Sequence, residues 1–339
     1  MSTIDSQGQA SGFLIIGEAV GGTPLPIVPE MIALAKQLTG SNGGPVCVLL
    51  VGESGESTIS TLVTAGADRV YIAPMPAEKL YASDVWLDAV SAVVTAFTPQ
   101  LIIAGHTSLG AELAPRLAVA TNLAIATGCE KLSFENGQLM ATRPCYGHKA
   151  REVLALRTVP AVITLRARSA EPLESDPNRT GEVVNVEVRQ RDAALIPKIR
   201  SRTSDDGAEG LSLEQAKVVV AGGRGLGGSE GFSGLIKLAE TLGGAVGASR
   251  VACDLGWCPR SWQIGLTGKS VTPNLYIAIG ISGASHHMAG CGNSGAILAI
   301  NNDPDAAIFK DARIGVVGDY KEIVPAMIRQ LADLKAQAA

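Results

Sequence analysis

The chain has 339 residues, 46% of them hydrophobic and only 4% aromatic, with 39 Gly and a formal net charge of -4. That length predicts two domains, each with a sizeable core. No basic stripe with interleaved aromatics is present, which argues against nucleic acid as a partner, and no apolar run approaches the ~20 residues needed to span a bilayer.

The first thirteen residues lack a basic region, a long apolar core and arginines. A cytoplasmic protein is expected, with a processed form from the mitochondrial matrix as the alternative, rather than a secreted one. Short apolar runs then alternate with longer amphipathic ones. Residues 13–16, 45–51, 69–72 and 101–104 read as strands, and residues 26–38, 57–65, 83–97 and 109–120 as helices. This alternation predicts a parallel sheet covered on both faces. Residues 140–144 and 161–167 could add further strands. Residues 171–212 are polar and turn-rich, apart from 183–188, which alternates like an edge strand. That stretch is the best candidate for an interdomain connection. The expected division is a domain over 1–190, a linker over 191–212 and a second domain over 213–339.

The second half restarts the pattern. Strands are expected at 217–221, 245–248, 275–280, 296–300 and 314–317, with helices at 229–242 and 321–334. Five short strands with crossovers predict an α/β, doubly wound sheet. The six cysteines, at 47, 129, 145, 253, 258 and 291, form no CxxC pair. Free thiols in a reducing compartment are expected, and no zinc site.

In a doubly wound sheet, ligands bind beyond the C-terminal strand ends. The segments there are Gly222 to Gly228, Ser249 with Arg250, Ile281 to Ala284, Asn301 to Asp303, and Asp319 with Tyr320. Two arginines and two glycine-rich loops on one rim favour an extended, anionic ligand. Gly223, Gly225 and Gly228 spell GxGxxG between a strand and a helix. A nicotinamide-dependent oxidoreductase would use that loop, but it also needs an acidic residue ending the second strand. Arg250 stands there, and no carboxylate follows until Asp254. Gly268, Lys269 and Ser270 mimic the end of a P-loop, yet Gln263 replaces the required glycine. His286 and His287 are adjacent, so a helix would point them in different directions, which argues against shared metal ligation.

Five motifs occur in order over residues 221–309: GGRGLGGSEGF, GASRVACDLGW, QIGLTGK, LYIAIGISGASHHMAG and AINNDPDAAIF. Together they resemble the FAD domain of electron transfer flavoprotein alpha subunits. Upstream, AGHTSLGAELAPRLAVATNLAIATGCEKL and RPCYGHKA resemble that family's N-terminal domain, so the likeness spans most of the chain. The resemblance implies an N-terminal nucleotide-hydrolase-like parallel sheet that has lost its ligand, and a C-terminal Rossmann-like, deoxyhypusine synthase-like domain that binds FAD. It implies an electron carrier rather than an enzyme, paired with a beta subunit as a heterodimer. Electrons would arrive from a flavoprotein dehydrogenase, as in fatty acid beta-oxidation, and leave to a membrane quinone oxidoreductase or another acceptor.

By the same resemblance, Arg224 reaches the FAD, while Ser249 and Arg250 flank the flavin. Ile264, Gly265, Leu266 and Thr267 pass beside its ring. Ser282, Gly283, Ala284, Ser285, His286 and His287 wrap the cofactor, and Asn301, Asp319 and Tyr320 hold the adenosine half. Arginine suits an electron carrier because its charge is permanent and stabilises a singly reduced, anionic flavin. Two positions depart from the family, which commonly has Gln at both Leu266 and His286. Leu266 offers no side-chain hydrogen bond, and His286 could add charge.

Overall fold

The computed structural model describes residues 12–40, 43–52, 55–74, 83–146, 150–188, 213–214 and 216–338. The chain forms two compact units that divide near residue 202. The expected linker over 191–212 lies outside the described residues.

The first unit runs β1 (Phe13–Gly17), β2 (Ala19–Val20), β3 (Thr23–Pro24), α1 (Ile27–Thr39), β4 (Val46–Val51), α2 (Glu56–Thr64), β5 (Arg69–Ala73), α3 (Ser83–Phe97), β6 (Leu101–Gly105) and α4 (Ser108–Thr121). It continues with β7 (Ala124–Cys129), β8 (Lys131–Glu135), β9 (Gln138–Cys145), β10 (Ala150–Leu156), β11 (Ala161–Leu165) and β12 (Glu182–Asn185). Seven strands form a sheet in the order β12-β5-β4-β1-β6-β11-β7, all of them parallel. Both faces are covered, which is why β1 reads as an unbroken apolar run. Phe13 and Ile15 enter one core while Leu14 and Ile16 enter the other.

Two features differ from the sequence expectation, although β12 pairs with β5 at the sheet edge, in keeping with the edge-strand alternation over 183–188. The polar stretch before it is tied down by backbone acceptors: the Arg179 guanidinium donates to the carbonyls of Thr64 and Glu174. Polar composition therefore marked a hydrogen-bonded segment there, not a free linker. The second difference is a three-stranded antiparallel sheet, β10-β9-β8, where only residues 140–144 were expected. Its strands are half exposed and carry cross-strand charge pairs such as Arg143–Glu152 at 2.8 Å, which dilute the apolar signal.

The second unit runs β13 (Val218–Gly222), a short turn (Arg224–Leu226), α5 (Gly231–Leu242), β14 (Ala245–Ser249), α6 (Arg250–Asp254), a turn (Arg260–Trp262), β15 (Gln263–Ile264), β16 (Leu275–Ile279), α7 (Ser285–Cys291), β17 (Ala296–Asn301), a turn (Ala307–Lys310), β18 (Ile314–Val317) and α8 (Tyr320–Ala338). The parallel sheet order is β15-β14-β13-β16-β17-β18. All five expected strands are present, and two-residue β15 adds a sixth, too short to show periodicity. The chain steps outward from β13 in one direction and returns to β16 on the other side. The switch point therefore falls between β13 and β16.

Among the described residues no helix is long and apolar enough to cross a membrane. All six cysteines are free. The Cys253 and Cys258 sulfurs lie 3.5 Å apart, and burial pushes the Cys258 thiol up to about 12. It is protonated at neutral pH, which leaves it a poor nucleophile.

Candidate functional site

At the switch point, two glycine loops meet backbone to backbone. The Gly223 amide donates to Ile279 O and the Gly225 amide to Gly280 O, both at 2.9 Å. A Cβ on Gly223 would fall 2.3 Å from Gly280 O, and one on Gly225 would fall 2.7 Å from Gly280 Cα. Gly280 itself has φ +62°, which L side chains rarely adopt. Gly228 is different, since a Cβ there would meet only Glu230 Oε2 at 3.6 Å. Two glycines of the GxGxxG string are thus used to splice one loop to the other. With Ser249 ending β14 and Arg250 opening α6, the nicotinamide reading loses both its cradle and its ribose carboxylate.

Beside this splice lies a cleft of about 640 Å³. Twelve of the sixteen residues expected from sequence line it: Arg224, Ser249 and Arg250; Ile264, Gly265, Leu266 and Thr267; Ser282, Ala284, His286 and His287; and Asn301. Gly225, Val251, Gly280, Ile281, Asn302, Asp303 and Ala306 complete the lining. Val251, Gly280 and Ala306 carry no chemical signal that would have singled them out.

Four expected residues lie off the lining. Gly283 is buried with φ +82°, and a Cβ there would meet Ile308 N at 2.3 Å, so its part is to let two backbones pass. Ser285 is the first residue of α7. Asp319 accepts from the Lys321 amide at 2.9 Å at the start of α8. The Tyr320 hydroxyl donates to Leu226 O at 2.8 Å, bracing the glycine turn from outside.

The lining side chains divide by whether their polar groups are already spent. Arg224 is exposed and makes no ion pair among the described residues. Arg250, 64% exposed, pairs with Asp254 at 3.1 Å, and Arg260 shares that carboxylate at 3.5 Å. An exposed pair of this kind is weak, so the charge remains usable. Thr267 Oγ1 accepts from Gln263 Nε2 at 3.0 Å, which leaves its own proton free to donate. Asn301 donates to Ile281 O and accepts from the Asp303 amide, each at 3.0 Å. It braces the loops after β16 and β17. Ser249 Oγ accepts from the Ala252 amide at 3.5 Å and caps α6.

The two neighbouring histidines point apart, as expected for successive helix positions. His286 is exposed on the rim and His287 is buried at 7% exposure. His287 Nε2 lies 2.9 Å from Tyr276 Oη, and Nδ1 lies 3.1 Å from Ile264 O. Burial pulls its pKa down to about 4, against the raising effect of the Ile264 carbonyl. At neutral pH the ring is uncharged.

The cleft therefore offers two cations against the single carboxylate of Asp303, a free hydroxyl proton, and an apolar wall from Ile264, Leu266 and Ile281. This donor set fits an extended molecule with an anionic middle and a flat ring, and FAD is such a molecule. The family model for the electron transfer flavoprotein domain matches residues 13–190, and the model for the electron transfer flavoprotein FAD-binding domain matches residues 212–292. The chain belongs to the electron transfer flavoprotein alpha subunit family.

Similar proteins occur in several bacteria. The electron transfer flavoprotein subunit alpha of Bacillus subtilis is 39% identical, with 95% of this chain and 97% of the relative covered. That of Thermoanaerobacterium thermosaccharolyticum is 36% identical, with 95% and 98% covered. A protein named FixB from Azotobacter vinelandii is 33% identical over 91% of this chain and 88% of its own length. FAD is the cofactor of this chain, and its homologues are electron transfer flavoprotein subunits. The FAD-domain match ends at residue 292, so Asn301, Asp319 and Tyr320 lie beyond it.

Proposed function

We propose that this chain is the FAD-carrying half of a cytoplasmic electron transfer flavoprotein heterodimer. It pairs with a beta subunit, accepts electrons from a flavoprotein dehydrogenase and delivers them to a quinone oxidoreductase or another acceptor. The observation that carries the reading is the open cleft at the β13/β16 switch point, with Arg224 and Arg250 available on its rim. Bound FAD supplies reversible electron storage. The chain's own residues do the rest. Arg224, on the cleft rim, would neutralise and orient the anionic portion. Arg250 presents permanent positive charge to the electron-accepting ring. Thr267 offers a hydroxyl proton to a ring heteroatom, and Ile264 with Leu266 supplies an apolar surface that limits water. Asn301, Asp319 and Tyr320 shape the end of the cleft that takes the adenosine half. The domain boundaries expected from sequence, 1–190 and 213–339, place this whole set in the second domain.

The test is co-expression with a beta subunit, purification, a flavin count and a coupled assay. One FAD held in the cleft of this chain and reduction by a flavoprotein dehydrogenase are expected. A flavin-free complex that reduces a nicotinamide cofactor would overturn the proposal. The chain purified alone should hold FAD poorly, because a subunit of an obligate complex leaves apolar interface exposed.

A further inference from the structure

One wall of the cleft is poorly held by burial. Residues 264–267 leave β15 after only two paired residues, and Leu266, at 60% exposure, and Thr267 both face solvent. Burial fixes only the root of the arm, at Ile264 with 1% exposure, and within the turn the Gly265 amide donates to Lys269 O at 3.1 Å while Thr267 Oγ1 accepts from Gln263. Three further contacts tie the arm to α7. The Leu266 amide donates to His286 O at 2.7 Å. Gly290 admits the arm closely, since a Cβ there would lie 2.4 Å from Gly265 N. The third contact is His287 Nδ1 to Ile264 O at 3.1 Å.

That third contact requires a proton on Nδ1. A carbonyl oxygen accepts and never donates, so Nδ1 must carry the proton. In the neutral ring Nε2 is then an acceptor, and its partner must be a donor. The Tyr276 hydroxyl, 2.9 Å away, supplies that donor. Tyr276 is completely buried beneath the cleft, at 0% exposure, so solvent does not stand in for it. With the opposite tautomer, Nδ1 would present a lone pair to the Ile264 carbonyl and repel it.

We propose that Tyr276 is a positioning residue for the cofactor cleft: its hydroxyl locks His287 in the Nδ1–H tautomer, which pins the Ile264–Thr267 arm against α7. Both ring nitrogens are then occupied by protein. His287 then bears on a bound ligand by way of the arm. The inference rests on the cleft being the FAD site, but its central measurement does not require flavin.

The test uses the ¹⁵N-labelled chain assembled with its beta subunit. Long-range ¹H–¹⁵N correlation of the histidine rings is expected to show His287 with protonated Nδ1 and bare Nε2, unchanged from pH 6 to 8. A His287→Asn variant assigns the signal; its amide can still reach Ile264 O, whereas His287→Ala cannot. In Tyr276→Phe the Nε2 resonance should shift as its hydrogen bond is lost, exchange of the Leu266 amide should quicken at least tenfold, and the FAD dissociation constant should rise about tenfold. His287→Asn should retain FAD better than His287→Ala. A parent His287 protonated on Nε2 at pH 7 would overturn the proposal. So would a Tyr276→Phe protein with the parental His287 spectrum, whatever its affinity for FAD. If the spectra behave as expected but the assembled parent takes up no FAD, the clamp stands and the flavin reading of the cleft fails.

Discussion

The two parallel sheets place polar residues at the same topological spot and use them in opposite ways. In the first unit the switch point lies between β1 and β6. Glu18, just beyond β1, is 8% exposed and accepts from the Thr107 hydroxyl at 2.7 Å. Thr107 in turn accepts from the Gly110 amide at 3.0 Å and caps α4. Beside them His106 meets the Thr164 hydroxyl at 2.9 Å, and Arg166 donates to Gly128 O at 3.2 Å. Among the described residues, the polar groups of that rim bond to protein neighbours. In the second unit the corresponding rim carries Arg224 and the half-engaged Arg250 around an open cleft. Topology nominates a ligand site. Whether one is present depends on whether the polar groups there are already spent.

The largest expected effect tests the glycine splice. Gly223→Val should prevent the two loops from meeting, destabilise the second unit by about 3 kcal/mol or more, and abolish FAD retention. Gly228→Ala, in the same motif but with open space, should fold and bind FAD normally. Chemical denaturation with a flavin count separates the two. Equal damage at both positions would restore the phosphate-cradle reading of GxGxxG.

The closed rim of the first unit gives the next effect. Burial raises the Glu18 carboxyl from 4.5 to about 7, opposed by the Thr107 hydrogen bond. The folded state thus favours the protonated form. Its stabilising contribution is complete below about pH 4.5 and is lost as pH rises to about 7. The shift corresponds to on the order of 3 kcal/mol. Unfolding of Glu18→Gln and the parent across pH 4.5 to 8 should show the variant gaining relative stability as pH rises. Parallel profiles would mean that the carboxyl reaches water.

In the open cleft, Arg250→Ala should lower the first one-electron potential of the flavin. A unit charge at 4 Å and an effective dielectric near 20 contributes at most about 4 kcal/mol, or roughly 170 mV. The exposure of Arg250 and its pairing with Asp254 pull the expected shift toward roughly 40 mV, the equivalent of ~1 kcal/mol. Potentiometric titration showing no shift would remove Arg250 from the electron-transfer machinery. His286→Gln restores the family's usual amide on the exposed rim. It should move the potential less than Arg250→Ala does at every pH from 5.5 to 8. An equal or larger shift would put the rim histidine nearer the flavin than its exposure suggests.

Alternation of short apolar and longer amphipathic segments was enough to place both parallel sheets, because strands buried on two faces must be apolar throughout. The ordered motifs around Arg224, Arg250, Thr267 and His287 were enough to name the family and its cofactor. Signals failed where structure is held by something other than burial: β15 is too short for periodicity, β8 to β10 are half polar, and residues 171–181 are anchored through backbone carbonyls. Residue types alone also left open which polar groups remain free. His287, Asn301 and Tyr320 read as ligand contacts in sequence, and each also holds a protein partner brought from 11 to 94 residues away in the chain. Arg224 and Arg250 look no different from any surface arginine until the sheet opens a cleft beside them. Local composition carries secondary structure because periodicity is local. Hydrogen-bond satisfaction is settled between distant segments, so only the tertiary structure decided which residues brace the cleft and which are left to hold its ligand.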